Sequence, residues 1–123
     1  MRSLNEYITV DESRQDNLRP TSKKELKELI NQRIEEQGPR CDLNDIDVSR
    51  ITDMSYLFDD TNFNGDISKW NVSSVRGMNG MFNDSKFNGD LSKWDTRSLE
   101  ECSGIFRNSP LEDNPPSWCH CDK

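Results

Sequence analysis

Trp70, Trp94 and Trp118 stand 24 residues apart, and the chain between residues 42 and 118 repeats with the same step. A period of this size means that each unit buries its apolar face against the next, so the architecture is a stack. The columns keep register. Leu43, Ile67 and Leu91 fall 24 apart, as do Ile51, Val75 and Leu99, and Phe58, Phe82 and Phe106. Phe63, Phe87 and Leu111 form a further apolar column, Met54, Met78 and Cys102 another, and Asp42, Asp66, Asp90 and Asn114 a polar one. Without gaps, 62–85 matches 86–109 at Phe63, Asn64, Gly65, Asp66, Ser68, Lys69, Trp70, Ser74, Gly80, Phe82 and Ser85, far above chance.

Within a unit two halves differ. Ile67-x-x-Trp70-x-Val72-x-x-Val75 keeps the spacing of the leucine-rich-repeat pattern, and 43–51 and 91–99 copy it. Alternation at Trp70 and Val72 predicts a short strand with Lys69, Asn71 and Ser73 turned outward. Val75, Met78 and Phe82 then change to a spacing of three and four, which predicts one or two helical turns. Asn64-Gly65-Asp66 and Asn88-Gly89-Asp90 read as turns, because Asn-Gly tolerates positive φ and Asp bonds nearby amides. The expected fold is therefore α/β, a short leucine-rich-repeat-like right-handed solenoid of about three coils with an N-terminal capping helix.

That helix is written at 21–38. Ser22 with Glu25 three residues on is a capping box, and Gly38-Pro39 is a stop. Leu26, Leu29, Ile30 and Ile34 form one apolar stripe, suited to covering the raw face of the first coil. The division is then an arm at 1–20 containing one candidate strand, Tyr7–Val10, a capping helix and connection at 21–41, and a repeat region at 42–123. Pro115 and Pro116 mark its degenerate C-terminal cap, since proline removes ladder donors. Leu111, Trp118 and His120 are assigned to core columns.

The units NFNGDISKWNVSSVRGMNGMFNDS and KFNGDLSKWDTRSLEECSGIFRNS resemble the BspA-like repeats of bacterial surface proteins, the DUF285 type. The resemblance covers roughly residues 42–118 and rests on Asp-Ile-Ser-x-Trp followed by Met-x-x-Met-Phe. Residues 43–58, LNDIDVSRITDMSYLF, are similar to the family's entry coil. The third unit departs from the pattern at Thr96, Cys102 and Ile105. Membership implies a leucine-rich-repeat-like solenoid used for binding, often in surface or adhesive proteins, and no enzyme activity.

With 31% hydrophobic and 32% charged residues, the chain is lean for a globule but suits a thin stack. Its net charge of -7 argues against direct nucleic-acid binding, which needs a basic surface. The N-terminus has no apolar run that would serve as a signal or span, so a cytoplasmic location is expected and no membrane association. Cys102 falls in the methionine column and reads as a core side chain. Cys41 lies coils away from Cys119 and Cys121, too far for a bridge, so reduced thiols in a reducing compartment are expected.

The outward strand columns supply the partner-binding candidates Asp45, Lys69 and Lys93; Asp47, Asn71 and Asp95; and Ser73 with Arg97. This face mixes charges and shows no exposed aromatic anchor. The helical half carries Asp53, Asp59, Asp60, Asp84, Glu100 and Glu101, which reads either as a solvated side or as a ridge for a basic groove. Cys119-His120-Cys121 lacks the four convergent ligands of a structural zinc site, and no cofactor is expected. His120 has no nucleophile and orienting carboxylate in its coil, so no catalytic residue is assigned. Asp66 and Asp90 lack the ligand density of a calcium loop and read as turn residues.

The expected function is thus a non-catalytic protein-binding module whose protein partner is unidentified. One alternative is a phage or mobile-element inhibitor of a bacterial defence protein, anti-CRISPR-like and acting through an acidic surface. Another is an adhesin-type surface protein fragment. A homodimer through the C-terminal edge is also expected, because that edge ends a thin core.

Overall fold

The computed structural model describes residues 18–121. The expected strand at Tyr7–Val10 lies outside them. One helix, α1 (Lys23–Gln37), precedes three 24-residue units, 38–61, 62–85 and 86–109, and a closing segment, 110–121. Helix α1 forms as its sequence dictates. Ser22 is the N-cap, and its Oγ accepts from the Glu25 amide at 3.2 Å. Glu25 Oε1 in turn accepts from the Thr21 amide and hydroxyl. Gly38 closes the other end at φ 91, a conformation costly for any residue with a β-carbon, and donates its N–H to Ile34 O. Leu26 and Ile30 are buried on the first unit.

The units stack with every apolar column in register. Phe58, Phe82 and Phe106 lie with ring centroids 5.4 and 5.6 Å apart, and Phe63 and Phe87 5.9 Å apart. The three tryptophans stack at 6.5 and 6.1 Å. Each indole also ties its unit to the one before. Trp70 Nε1 donates to Leu43 O at 2.8 Å, Trp94 Nε1 to Ile67 O at 2.9 Å, and Trp118 Nε1 to Leu91 O at 2.8 Å. Large rings can therefore be buried without an orphaned polar atom.

The α/β leucine-rich-repeat solenoid is overturned. Among the described residues there is one helix and no sheet, only the isolated parallel bridges Asp42–Asp66, Asp53–Gly77 and Gly77–Glu101. The reason lies in where the amides go. In 66–75, the N–H of Ser68 bonds Asp66 Oδ1 and that of Ser73 bonds Asn71 Oδ1, while Trp70 and Val75 bond back to Ile67 O and Val72 O. Units 1 and 3 repeat this at Asp42, Asp47, Asp90 and Asp95. Side-chain carboxylates and amides close the local turns and compete with lateral strand pairing.

The second half is not helical either. Tyr56, Gly80 and Gly104 share one column at φ 61, 59 and 66, and Asp60, Asp84 and Asn108 share another at φ 55, 55 and 56. These left-handed positions break the helix and sort the amides. Leu57 and Asp59 bond three residues back, whereas Met54, Tyr56, Phe58 and Asp60 donate to Gly77, Asn79, Met81 and Asn83 O of unit 2. Met78, Gly80, Phe82 and Asp84 donate likewise to Glu101, Ser103, Ile105 and Arg107 O of unit 3. Along this row the units are thus joined by a backbone ladder from residue i to i+23, while Asp66 and Arg76 of unit 2 donate back to Cys41 and Thr52 O and Glu100 of unit 3 donates back to Arg76 O.

This ladder leaves unit 1 with carbonyls that face no preceding unit, and α1 supplies cations in place of amides. Lys23 Nζ donates to Ser55 O at 3.1 Å, Lys27 Nζ to Leu57 O at 2.6 Å, and Arg33 Nη1 to Asp42 O at 3.2 Å. In the next unit their counterparts Asn79, Met81 and Asp66 O accept from the Tyr56, Phe58 and Leu43 N–H groups of unit 1. Burial pushes the Lys27 ammonium below its ordinary range, a cost of holding it at the end of the core.

The cysteines differ from the sequence reading. Cys102 is bonded to Cys121, with Cα atoms 5.3 Å apart. With no strand at 119–121, the column assignment that placed His120 in the core does not apply. His120 is exposed, whereas Cys119 and Cys121 pack against the core. The bond closes a separation of 19 residues, which in the chain-entropy account is worth about 3 kcal/mol. The thiol argument for a reducing compartment falls with it. Cys41 and Cys119 remain free, Cys41 buried.

Two substitutions test this account. A β-carbon on Gly65 would stand 1.8 Å from Cys41 O, a backbone atom that the Asp66 N–H bonds, so Gly65→Ala should cost at least about 2 kcal/mol in urea unfolding. Lys27→Met should cost about 1–2 kcal/mol by stranding Leu57 O, whereas Lys24→Met, on the exposed side of α1, should be near neutral.

Candidate functional site

The eight sequence-predicted partner-binding residues do not form a free strand face. Asp45 is held by the Arg33 fork at 2.9 and 3.0 Å, a bidentate pair that raises the Arg33 pKa and ties α1 to unit 1. Asp47, Asn71 and Asp95 are turn formers whose Oδ1 accepts the amide two residues on. The Ser73 hydroxyl donates back to Asn71 at 2.6 Å, and Arg97 Nε donates to Asp95 at 2.9 Å. Lys69 and Lys93 stay exposed and, among the described residues, their side chains make no hydrogen bond or ion pair. Most of the predicted face is occupied in making the fold.

The electrostatics agree. The Ser49 side chain lowers the Asp47 pKa, the Ser92 side chain that of Asp90, and the Arg97 side chain that of Asp95. Asp66, bonded first by the Ser68 amide, is drawn down to about 2. The reading of Asp66 and Asp90 as turn residues matches this geometry.

The acidic side is likewise interleaved with amide groups. Asn83 Nδ2 donates to Asp59 Oδ1 at 2.8 Å, Asn108 Nδ2 donates to Asp84, and Asn79 Nδ2 to Glu101 at 3.0 Å. Glu100 takes Arg76 at 2.8 Å. Asp59, Asp84 and Glu101 thus each face an amide donor of a neighbouring unit, which lowers the repulsion among them. Among the described residues no group of three or more His, Cys, Asp or Glu side chains is placed to hold a metal ion.

Sequence reasoning missed Tyr56. It is 57% exposed, the large hydrophobic side chain that stands out among the described residues. Its backbone is left-handed at φ 61, in the column where units 2 and 3 have glycine. The ring lies over Gly80, where an added β-carbon would be 2.3 Å from Tyr56 Cε1. The signal was present in the repeat, since Tyr56, Gly80 and Gly104 align.

A protein-family comparison matches residues 24–119 to the family described as "Mycoplasma protein of unknown function, DUF285". The chain belongs to the DUF285 family. The match takes in α1 as well as all three units, so the cap and the stack belong to one family unit. No curated protein and no solved structure gives a significant match.

Acid unfolding tests the turn carboxylates of this DUF285 chain. Their folded pKa values lie below the ordinary 3.8. Their contribution is therefore complete above that pH and is lost as pH falls toward about 2, the Asp66 value. Stability should drop across this window. Asp66→Asn, which keeps the acceptor as Asn71 does, should remain close to wild type at pH 7, and Asp66→Ala should lose about 1 kcal/mol.

Proposed function

We propose that this DUF285 chain is a non-catalytic protein-binding module and that its contact surface is centred on Tyr56. The observation that carries this reading is the mismatch at that position. A β-carbon at positive φ costs of order 1 kcal/mol, and a ring that is 57% exposed recovers little of it by burial. The equivalent positions use glycine. Tyr56 is thus expensive for the fold, and its ring is held in place against Gly80. A pre-ordered aromatic is the side chain that protein interfaces use as an anchor. Asp59 and Asp60 follow it in sequence, and the net charge of -7 favours a partner whose surface is basic.

The Cys102–Cys121 disulfide favours a second, compatible reading, a segment of an adhesin-type surface protein, because disulfides persist in oxidising compartments.

The test separates anchor from scaffold. Tyr56→Gly relieves the backbone and loses the ring contact, so stability should change by less than about 1 kcal/mol. A partner captured by the wild-type chain and measured by calorimetry should bind the variant at least about 30-fold more weakly, the loss of a hot spot. Equal affinity for both chains would overturn the role given to Tyr56.

A further inference from the structure

The chain contains three Asn-Gly pairs, Asn64-Gly65, Asn79-Gly80 and Asn88-Gly89. An asparagine carboxamide followed by glycine is able to react with its own backbone, because no β-carbon shields the glycine nitrogen. The reaction needs the carboxamide to turn back onto that nitrogen, so whatever holds the side chain elsewhere prevents it. Two of the pairs stand in the same tetrapeptide, Phe63-Asn64-Gly65-Asp66 and Phe87-Asn88-Gly89-Asp90. As free peptides they are chemically alike, and only the fold distinguishes them.

Both pairs of unit 2 are restrained. Asn79 Oδ1 accepts the Ser103 N–H at 2.8 Å and its Nδ2 donates to Glu101 at 3.0 Å. The nitrogen of buried Gly80 is itself committed to Ser103 O. Asn64 Oδ1 accepts the Asn88 N–H at 2.8 Å, which turns the carboxamide toward unit 3 and away from its own backbone. The Asn64 and Asp66 amides on either side of Gly65 bond Pro39 O and Cys41 O, so that stretch of backbone is fixed as well.

Apart from its N–H bond to Asn64, Asn88 is unrestrained. One step on, residue 112 is where its Oδ1 would find a donor, but the Glu112 N–H closes on Ser109 O within the closing segment. Asn88 is exposed, and among the described residues its carboxamide, the Gly89 N–H and the Asp90 N–H make no hydrogen bond. An exposed, unbonded side chain changes rotamer within nanoseconds, so the reactive geometry is sampled continually.

We propose that Asn88 is a site of spontaneous modification, converted through a cyclic imide to aspartate and isoaspartate, while Asn64 and Asn79 are protected by their bonds to unit 3. The Gly89 nitrogen loses its proton to solvent and bonds to Asn88 Cγ, and Nδ2 takes up a proton and leaves as ammonia. Water then opens the ring. Opening at Cγ restores the backbone and leaves an aspartate; opening at the main-chain carbonyl leaves the chain running through Cγ, longer by a methylene. Either product adds negative charge to a chain of net charge -7, and neither needs an oxidant or an enzyme. Asn88 lies in unit 3 and Tyr56 in unit 1, so this site stands or falls separately from the contact surface proposed above.

Peptide mapping of the oxidised full chain after incubation in mildly alkaline buffer provides the test. Trypsin puts the three pairs in separate peptides, 51–69, 77–86 and 87–93, and fragment spectra assign the modified residue in each. The amide-to-acid mass gain should accumulate at Asn88 at least about 10-fold faster than at Asn64 or Asn79, the factor expected for one net hydrogen bond. In urea the restraints are lost, and Asn64 and Asn88 should react at the same rate. Asn88→Gln should leave 87–93 unmodified while Asn64 stays slow, since the residue 88 N–H that holds it is kept. The proposal is overturned if Asn64 or Asn79 keeps pace with Asn88 in the folded chain, or if the difference between Asn64 and Asn88 persists in urea.

Discussion

The backbone hydrogen bond from residue i to residue i+23 is the constraint on which the other features depend. It recurs at four successive even positions between units 1 and 2 and at the equivalent four between units 2 and 3. For alternate amides to point along the stack, the intervening ones turn elsewhere, most closing within the unit and those of Asn79 and Ser103 reaching side chains of the unit before, and left-handed residues at two fixed phases make that geometry. Those phases then dictate composition, with glycine, aspartate and asparagine favoured. The same polarity explains why a helix rich in lysine precedes the stack. An apolar cap would cover the rings yet leave Ser55 and Leu57 carbonyls unbonded, at a cost of about 1–3 kcal/mol for each such buried group.

Around that ladder the aromatic columns supply the burial. Phe58, Phe63, Phe82 and Phe87 are all at most 1% exposed, and rings of neighbouring columns also stack across the unit boundaries, Phe58 on Phe63 and Phe82 on Phe87, both at 4.8 Å. Each such pair adds about 0.5–1.5 kcal/mol beyond its area. In a chain that is only 31% hydrophobic, continuous ring columns are how a thin core reaches sufficient density.

What could be read in the sequence followed from periodicity and capping. The tryptophan step gave the units and the core columns, and Ser22, Glu25 and Gly38 gave the helix. The strands failed because an apolar alternation such as Trp70-x-Val72 does not say where amides bond, and Asp66 and Asn71 accept them first. The helical turns failed for a related reason, since the three-and-four spacing of Val75, Met78 and Phe82 is also met by turns broken at Gly80. Assigning Cys102 to the methionine column hid its partner, because a column position describes burial and not what the closing segment brings to it. The candidate face was drawn on those strands, and its residues Asp47, Asn71 and Asp95 instead close turns. Tyr56 was legible only as a departure from its own column.

The i+23 register also bears on how a DUF285 chain of this kind can change length. Removal or insertion of a single residue inside a unit would shift every donor of the 54–60 row onto a carbonyl of the wrong parity and move the left-handed positions off their glycines. Removal or insertion of 24 residues would shift nothing, since each unit presents the next with the same row of acceptors. Variation in length is therefore quantised. Chains built this way lengthen by whole units between a fixed helical start and a fixed closing segment, and the loops between columns have little freedom to drift.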